Sequence, residues 1–395
     1  MLKTVRDLTR HVPQQFIFTN RILKDLPPAT LLHCRTLYAE NTLGVDGFRN
    51  VQGKIQSQFS NMTDRFRGKM EEFSSESSSN MIFTEDLKNM IHLAKNTPED
   101  VDLVRKMLVK FNKQNKEVRF GNYVFGPVLM RMFYCMGNVD VPLELYRNPD
   151  FQGFFDQVAS YQIMFDMLYE KGKYQDVLNL FSECKNESLK DQRHLVVLVM
   201  AACYKINSPD ALNYAVELWS RLTRAGKEPM RRASTLAAGL ALKQNNPAVA
   251  LEIVSSIRQH SYMTVRNIKI LAMAKVNRFE EALVNLKGLI EVEVTAAGTK
   301  QSICQEVLDQ ILEIIRQNDN KELLSDAQRV YKFLKDHGHV TEKSLDDFLT
   351  SEITVTNVNA TRPDKSILAG SFRANPPRKS GINPRFVRPG LAELN

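Results

Sequence analysis

Val177-Leu178-Asn179-Leu180-Phe181 and Ala215-Val216-Glu217-Leu218-Trp219 are two copies of one pattern, in which a small or short residue opens a run of apolar positions. The pattern recurs at Pro142-Leu143-Glu144-Leu145-Tyr146, Ala250-Leu251-Glu252-Ile253-Val254, Ala282-Leu283-Val284-Asn285-Leu286 and Ala327-Gln328-Arg329-Val330-Tyr331. Successive copies start 35, 38, 35, 32 and 45 residues apart. Four of them follow, by five residues, Gly137, Gly172, Asn245 or Asn277. Gly or Asn at such a place supplies the left-handed residue that ends a helix. Two short helices and two turns use about 30–40 residues, and neither helix buries its apolar face alone. The reading is therefore all-α: helical hairpins stacked along one shared core.

Outward from these copies the same logic holds. Leu87, Met90, Ile91 and Ala94 form one helical stripe, Thr97-Pro98-Glu99 breaks it, and Val101, Val104 and Leu108 begin the next. Ile303, Val307, Ile311, Leu312 and Ile315 precede the last copy. Six or seven helical pairs are expected, and no strand alternation competes.

The stretch Ala159-Ser160-Tyr161-Gln162, through Gly172-Lys173-Tyr174-Gln175-Asp176, to Leu180-Phe181-Ser182-Glu183 resembles the pentatricopeptide repeat consensus without a gap. Leu222-Thr223-Arg224-Ala225-Gly226-Lys227-Glu228-Pro229 resembles the end of such a repeat, and Lys335-Asp336-His337-Gly338-His339-Val340 looks like a further ending. The resemblance covers about residues 120–342. It implies a right-handed α-solenoid, binding of mitochondrial RNA, and a role in transcript maturation or stability and hence in respiratory-chain function. The tetratricopeptide repeat shares the hairpin, but its Trp-x-x-Leu-Gly-x-x-Tyr first helix is absent, and the lone Trp219 lies in a second helix.

In the family this chain resembles, first helices line a concave face and each repeat addresses one base. Carried over, the base-reading positions are Pro127, Gln162, Val197, Thr235 and Asn267, with Gln157, Gln192, Met230 and Tyr262 as their partners. Only Thr235 and Asn267 are side chains of the kind that select bases in that family. Pro127 and Val197 carry no side-chain hydrogen-bonding group, which puts a repeat-by-repeat code in doubt. Candidate phosphate contacts are Arg131, Lys243, Lys269 and Lys275, with Arg231-Arg232 and nearby Lys227 as the densest patch. A charge on a helix face is more often simply solvated.

The net charge is +8 over 395 residues, but the first 38 and last 45 residues each contribute +4, which leaves the repeats near neutral. The basic balance is thus weak evidence for nucleic acid. Residues 1–38 read as a mitochondrial transit peptide, cleaved near Arg35-Thr36-Leu37-Tyr38 to leave Ala39, with the matrix as destination. Residues 39–80 read as a long amphipathic helix, with Phe48, Ile55 and Met62 on one seven-residue period, followed by a Ser-rich linker. Residues 81–345 form the solenoid, and 346–395 a basic disordered tail. Cys34, Cys135, Cys184, Cys203 and Cys304 have no metal or Cys-x-x-Cys spacing. His337-Gly338-His339 lacks companion ligands. No P-loop, Gly-x-Ser-x-Gly or deaminase-type motif occurs in the sequence. The expectation is a binding protein without catalysis or cofactor, with RNA-processing proteins as partners; the competing expectation is a protein-interaction scaffold. No apolar run reaches the roughly 20 residues of a membrane span.

Overall fold

The computed structural model describes residues 36–118, 123–151, 153–291, 301–318 and 320–353. The chain enters through α1 (Glu40–Leu43), α2 (Val45–Phe59) and α3 (Thr63–Ser74). Seven helical pairs follow. They are α4 (Thr84–Leu93) with α5 (Pro98–Val118), α6 (Gly126–Met136) with α7 (Asp140–Arg147), and α8 (Val158–Glu170) with α9 (Tyr174–Glu183). After the single turn α10 (Glu187–Lys190) come α11 (Arg193–Ile206) with α12 (Pro209–Arg224), α13 (Arg231–Lys243) with α14 (Pro247–Ser255), and α15 (Met263–Lys275) with α16 (Phe279–Glu291). The last pair is α17 (Gln305–Arg316) with α18 (Lys321–Asp336), and α19 (Leu345–Leu349) ends the helices. The fold is an all-α solenoid of stacked helix-turn-helix repeats.

The expected turn residues do what their chemistry suggests. Gly137, Gly172, Asn245 and Asn277 all have positive φ, from 54° to 72°. At Gly172 the chain reverses through paired bonds, Lys173 N–H to Leu168 O (2.9 Å) and Gly172 N–H to Tyr169 O (3.1 Å), the arrangement that satisfies the last carbonyls of a helix. Of the two copies without a Gly or Asn five residues upstream, the one at Ala215 uses Asn207 instead, at φ 51°. Ala215, Ala250 and Ala282 have no exposed surface. Successive first helices pack on one another: α6 on α8, α8 on α11, α11 on α13, α13 on α15 and α15 on α17.

Three expectations change. The long helix expected ahead of the Ser-rich linker within 39–80 is three helices, α1 to α3, with the main break at Ser60–Met62, where Met62 is 53% exposed instead of continuing the stripe. The Ser-rich stretch is a pinned turn, because Lys110 Nζ donates to the carbonyls of Phe73 (2.6 Å) and Ser78 (2.8 Å). The boundary drawn at 346 cuts through α19, whose Leu349 has no exposed surface. A two-residue parallel pair, β1 (Ile303–Cys304) with β2 (Val340–Thr341), is also present. The transit-peptide reading of 1–35 and the tail reading of 354–395 lie outside the described residues.

Candidate nucleic-acid interface

α11 and α13 have no polar stripe. Ten consecutive residues, Leu195–Tyr204, are buried in the first, and ten, Ala233–Leu242, in the second. A helix buried on every side needs cover on every side. Second helices cover one flank, and neighbouring first helices cover two more. The remaining flank, where bases would lie, is covered by the two ends of the described chain.

The C-terminal strap is α19 with residues 350–353. Asp346 opens it, accepting from Tyr204 Oη (2.8 Å) and Lys243 Nζ (2.7 Å), with Lys205 Nζ at 3.7 Å. Burial alone would raise the Asp346 carboxyl, but these donors and charges hold it below the usual range. Leu349 sits against Gly239, where an added Cβ would be 2.7 Å from its Cδ1 and 3.2 Å from the Tyr204 ring. The Arg232 guanidinium closes the strap, donating to the Phe348 carbonyl, to Leu349 O (3.2 Å), and to Ser351 O (3.2 Å) and Oγ (3.1 Å). Phe348 O and Leu349 O are carbonyls of the kind a helix leaves unbonded at its C-terminal end.

The N-terminal strap meets it. Ile353 N–H donates to Leu37 O at 2.9 Å. Tyr38 has no exposed surface, and its hydroxyl lies 3.1 Å from His194 Nδ1 at the start of α11. Arg131 Nε donates to Leu43 O at 2.8 Å, which ties α1 to α6. Below Tyr38 lies Asp166, fully buried; burial first, and Glu170 second, push its carboxyl well above the ordinary range.

The residues singled out from the sequence are therefore divided. Val197, Thr235 and Asn267 are 0%, 1% and 0% exposed, so none presents a side chain to a base in this structure. The Thr235 hydroxyl donates to Arg232 O (3.0 Å) inside its own helix. Asn267 is a packing clamp, its Nδ2 donating to Met263 O (2.8 Å) and its Oδ1 accepting from Cys304 N–H on β1 (2.9 Å). Gln162 and Met230 are half-buried, and Gln192 is exposed. Pro127 and Gln157 are also half-buried, and Gln157 Oε1 accepts from Ser160 Oγ (3.0 Å). Of the expected phosphate contacts, Arg131, Arg232 and Lys243 are committed to the straps. Lys227 pairs with Asp191. Lys275 Nζ reaches Leu242 O at 3.5 Å, and Lys269 is half-buried.

Arg231 differs from its neighbour. Its guanidinium lies 3.0 Å from the ring centroid of Tyr262, which is 41% exposed. The repeat pattern marks Tyr262 as a partner position and does not single out Arg266, four residues further on in α15. The signal was available in the i, i+4 spacing of Tyr262 and Arg266, but not their approach to Arg231 from the preceding repeat.

No family model matches the chain. Among curated proteins, pentatricopeptide repeat-containing protein 2, mitochondrial, of Mus musculus is 31% identical over 269 residues, which are 68% of this chain and 70% of that protein. The Homo sapiens protein of the same name is 29% identical over 300 residues, covering 76% and 74%. That of Danio rerio is 27% identical over 352 residues, covering 84% and 89%. With the stacked hairpins and their left-handed turns, this likeness places the chain in a family: it belongs to that of pentatricopeptide repeat-containing protein 2, mitochondrial.

Proposed function

We propose that the protein binds single-stranded RNA in the mitochondrial matrix and acts in the maturation or stability of mitochondrial transcripts, and through them in respiratory-chain function. The observation that carries this reading is the array of seven stacked hairpins in a chain that belongs to this repeat family. The protein's part is binding; any strand cleavage falls to RNA-processing proteins that act with it. A base-by-base code through Thr235 and Asn267 is not part of the reading, since both side chains are used inside the fold. Contact with RNA is instead sequence-tolerant, made through backbone charge and exposed aromatic surface.

A second reading, a matrix protein-interaction scaffold, is favoured by one observation: Arg131, Arg232 and Lys243 spend their donors on the chain itself. RNA crosslinking of the full-length protein in intact mitochondria separates the two. Reproducible crosslinks to mitochondrial transcripts support the first reading. Crosslinking at background level, with stable recovery of protein partners, supports the second.

A further inference from the structure

Several cations of α12 and of the turns after α12 and α14 are paired within the chain. Arg221, Lys227 and Arg258 each have a carboxylate partner, in Glu187, Asp191 and Glu228 respectively. Arg231 and Arg266 have none among the described residues. The Arg231 guanidinium carbon lies over the Tyr262 ring, 3.0 Å from its centroid. Arg266 makes one hydrogen bond, from Nη2 to Ser261 O at 3.1 Å. Tyr262 caps α15, and the Arg266 side chain reaches back to the Ser261 carbonyl beside that cap, so both arginines lie near the start of α15.

Burial pushes Arg231 down to about 10, with the Arg232 charge adding to the effect. Burial also lowers Arg266. Guanidinium groups without a carboxylate partner are free to take an anion, and the described residues supply none to these two. A guanidinium stacked on an aromatic ring keeps its in-plane N–H donors free, in the fork geometry that matches phosphate oxygens. The exposed remainder of the ring offers a surface for a base.

We infer that Arg231, Tyr262 and Arg266 grip the phosphodiester backbone of single-stranded RNA at the edge of the solenoid, outside the face closed by residues 37–38 and 345–353. The inference rests on the RNA reading above and supplies its contact. It displaces recognition from the covered first-helix face to the ends of α13 and α15. Such a contact reads charge and stacking and leaves base identity largely unread.

The test uses the full-length chain and a labelled twelve-residue oligouridine, followed by fluorescence anisotropy over a range of salt. Arg231→Ala/Arg266→Ala weakens binding about 10- to 100-fold and lowers the slope of log K against log salt by about 1.4, as expected for two lost phosphate contacts on a single strand. Tyr262→Ala weakens binding about 5- to 100-fold with little change in slope. Lys227→Ala and Arg258→Ala, which break internal pairs, stay within about 2-fold of the parent. Thermal melts by circular dichroism confirm that each variant is folded. If the parent binds and the edge variants bind equally well, the edge assignment is overturned while the RNA reading stands. If the parent binds no RNA, the RNA reading fails and the edge assignment falls with it. If the variants lose only binding to vesicles of anionic phospholipid, the cluster serves a lipid headgroup and the inference is overturned.

Discussion

Gly239 and Leu349 share one notch: a Cβ built on Gly239 would stand 2.7 Å from Leu349 Cδ1. Gly239 lies in the middle of α13 with ordinary helical dihedrals, where Gly costs about 1 kcal/mol relative to Ala. What the missing Cβ makes room for is the docking of α19. Gly239→Ala should therefore lower stability by about 1–3 kcal/mol, because overpacking outweighs the gain in helix propensity. Leu349→Ala should cost about 2–5 kcal/mol. The double variant should cost less than the sum of the two. Urea melts give the energies, and hydrogen exchange over 345–353 locates the loss. Additive energies would mean that the two residues do not interact.

Asn267 should behave as a structural residue. Asn267→Ala removes the acceptor of Cys304 N–H and leaves that buried donor unsatisfied, a loss of about 1–3 kcal/mol. The expected result is a lower Tm with unchanged preference among RNA oligonucleotides. A variant that keeps its Tm but changes base preference would restore the base-reading role.

His92 should make the fold acid-sensitive. Its ring packs against Phe48, with centroids 4.5 Å apart, and its Nδ1 has no partner among the described residues. Burial pushes it from 6.5 down to about 4. The unfolded chain then takes up a proton that the folded ring refuses, so stability falls as pH drops from about 6.5 towards 4. His92→Leu should flatten this limb in thermal melts, by on the order of 1–3 kcal/mol at its lower end. An unchanged limb would mean that His92 is readily protonated in the folded protein.

Asp166 should have the opposite sign. Its folded carboxyl titrates well above 3.8, so the folded state holds a proton that the unfolded chain gives up as pH rises. Stability is full below 3.8 and declines above it, up to the raised value. Asp166→Asn should therefore raise Tm at pH 7 and have little effect at pH values near 3. A lower Tm at pH 7 would show that the ionised carboxylate is stabilising.

The mature N-terminus should fall at or before Leu37. Cleavage to leave Ala39 would remove Leu37 and Tyr38, both 0% exposed, and the carbonyl that accepts from Ile353 N–H. Burial of two such side chains is worth roughly 1.5–3 kcal/mol each. N-terminal sequencing of the protein from mitochondria checks this. A chain that starts at Ala39 and melts at the same temperature as one starting at Thr36 would show that the strap contributes nothing.

Much of the array is legible in the residues themselves, and much of the site is not. Gly137, Gly172, Asn245 and Asn277 mark turns because a left-handed residue is a local requirement. Ala215, Ala250 and Ala282 mark close helix contacts for a similar reason. The polar residues Thr235 and Asn267 look like base readers because position in the repeat is all that a local pattern provides. For Val197 burial is legible in the unbroken apolar run Leu195–Cys203, which leaves α11 no wet side. The pattern does not say what covers that side. The stack of Arg231 on Tyr262 joins two repeats, and nothing within either repeat announces it.

The sequence by itself determined the helix-turn-helix period, the turn chemistry and the family, because each depends on residues within one or two helical turns of each other. Tertiary structure alone decided that the first-helix face is closed. That closure depends on Tyr38 meeting His194 and Asp346 meeting Tyr204, across 156 and 142 residues of chain. No short-range periodicity records contacts of that length. They form because the middle turns of α11 and α13, buried on every side, must exclude water, and the segments entering and leaving the solenoid supply that cover.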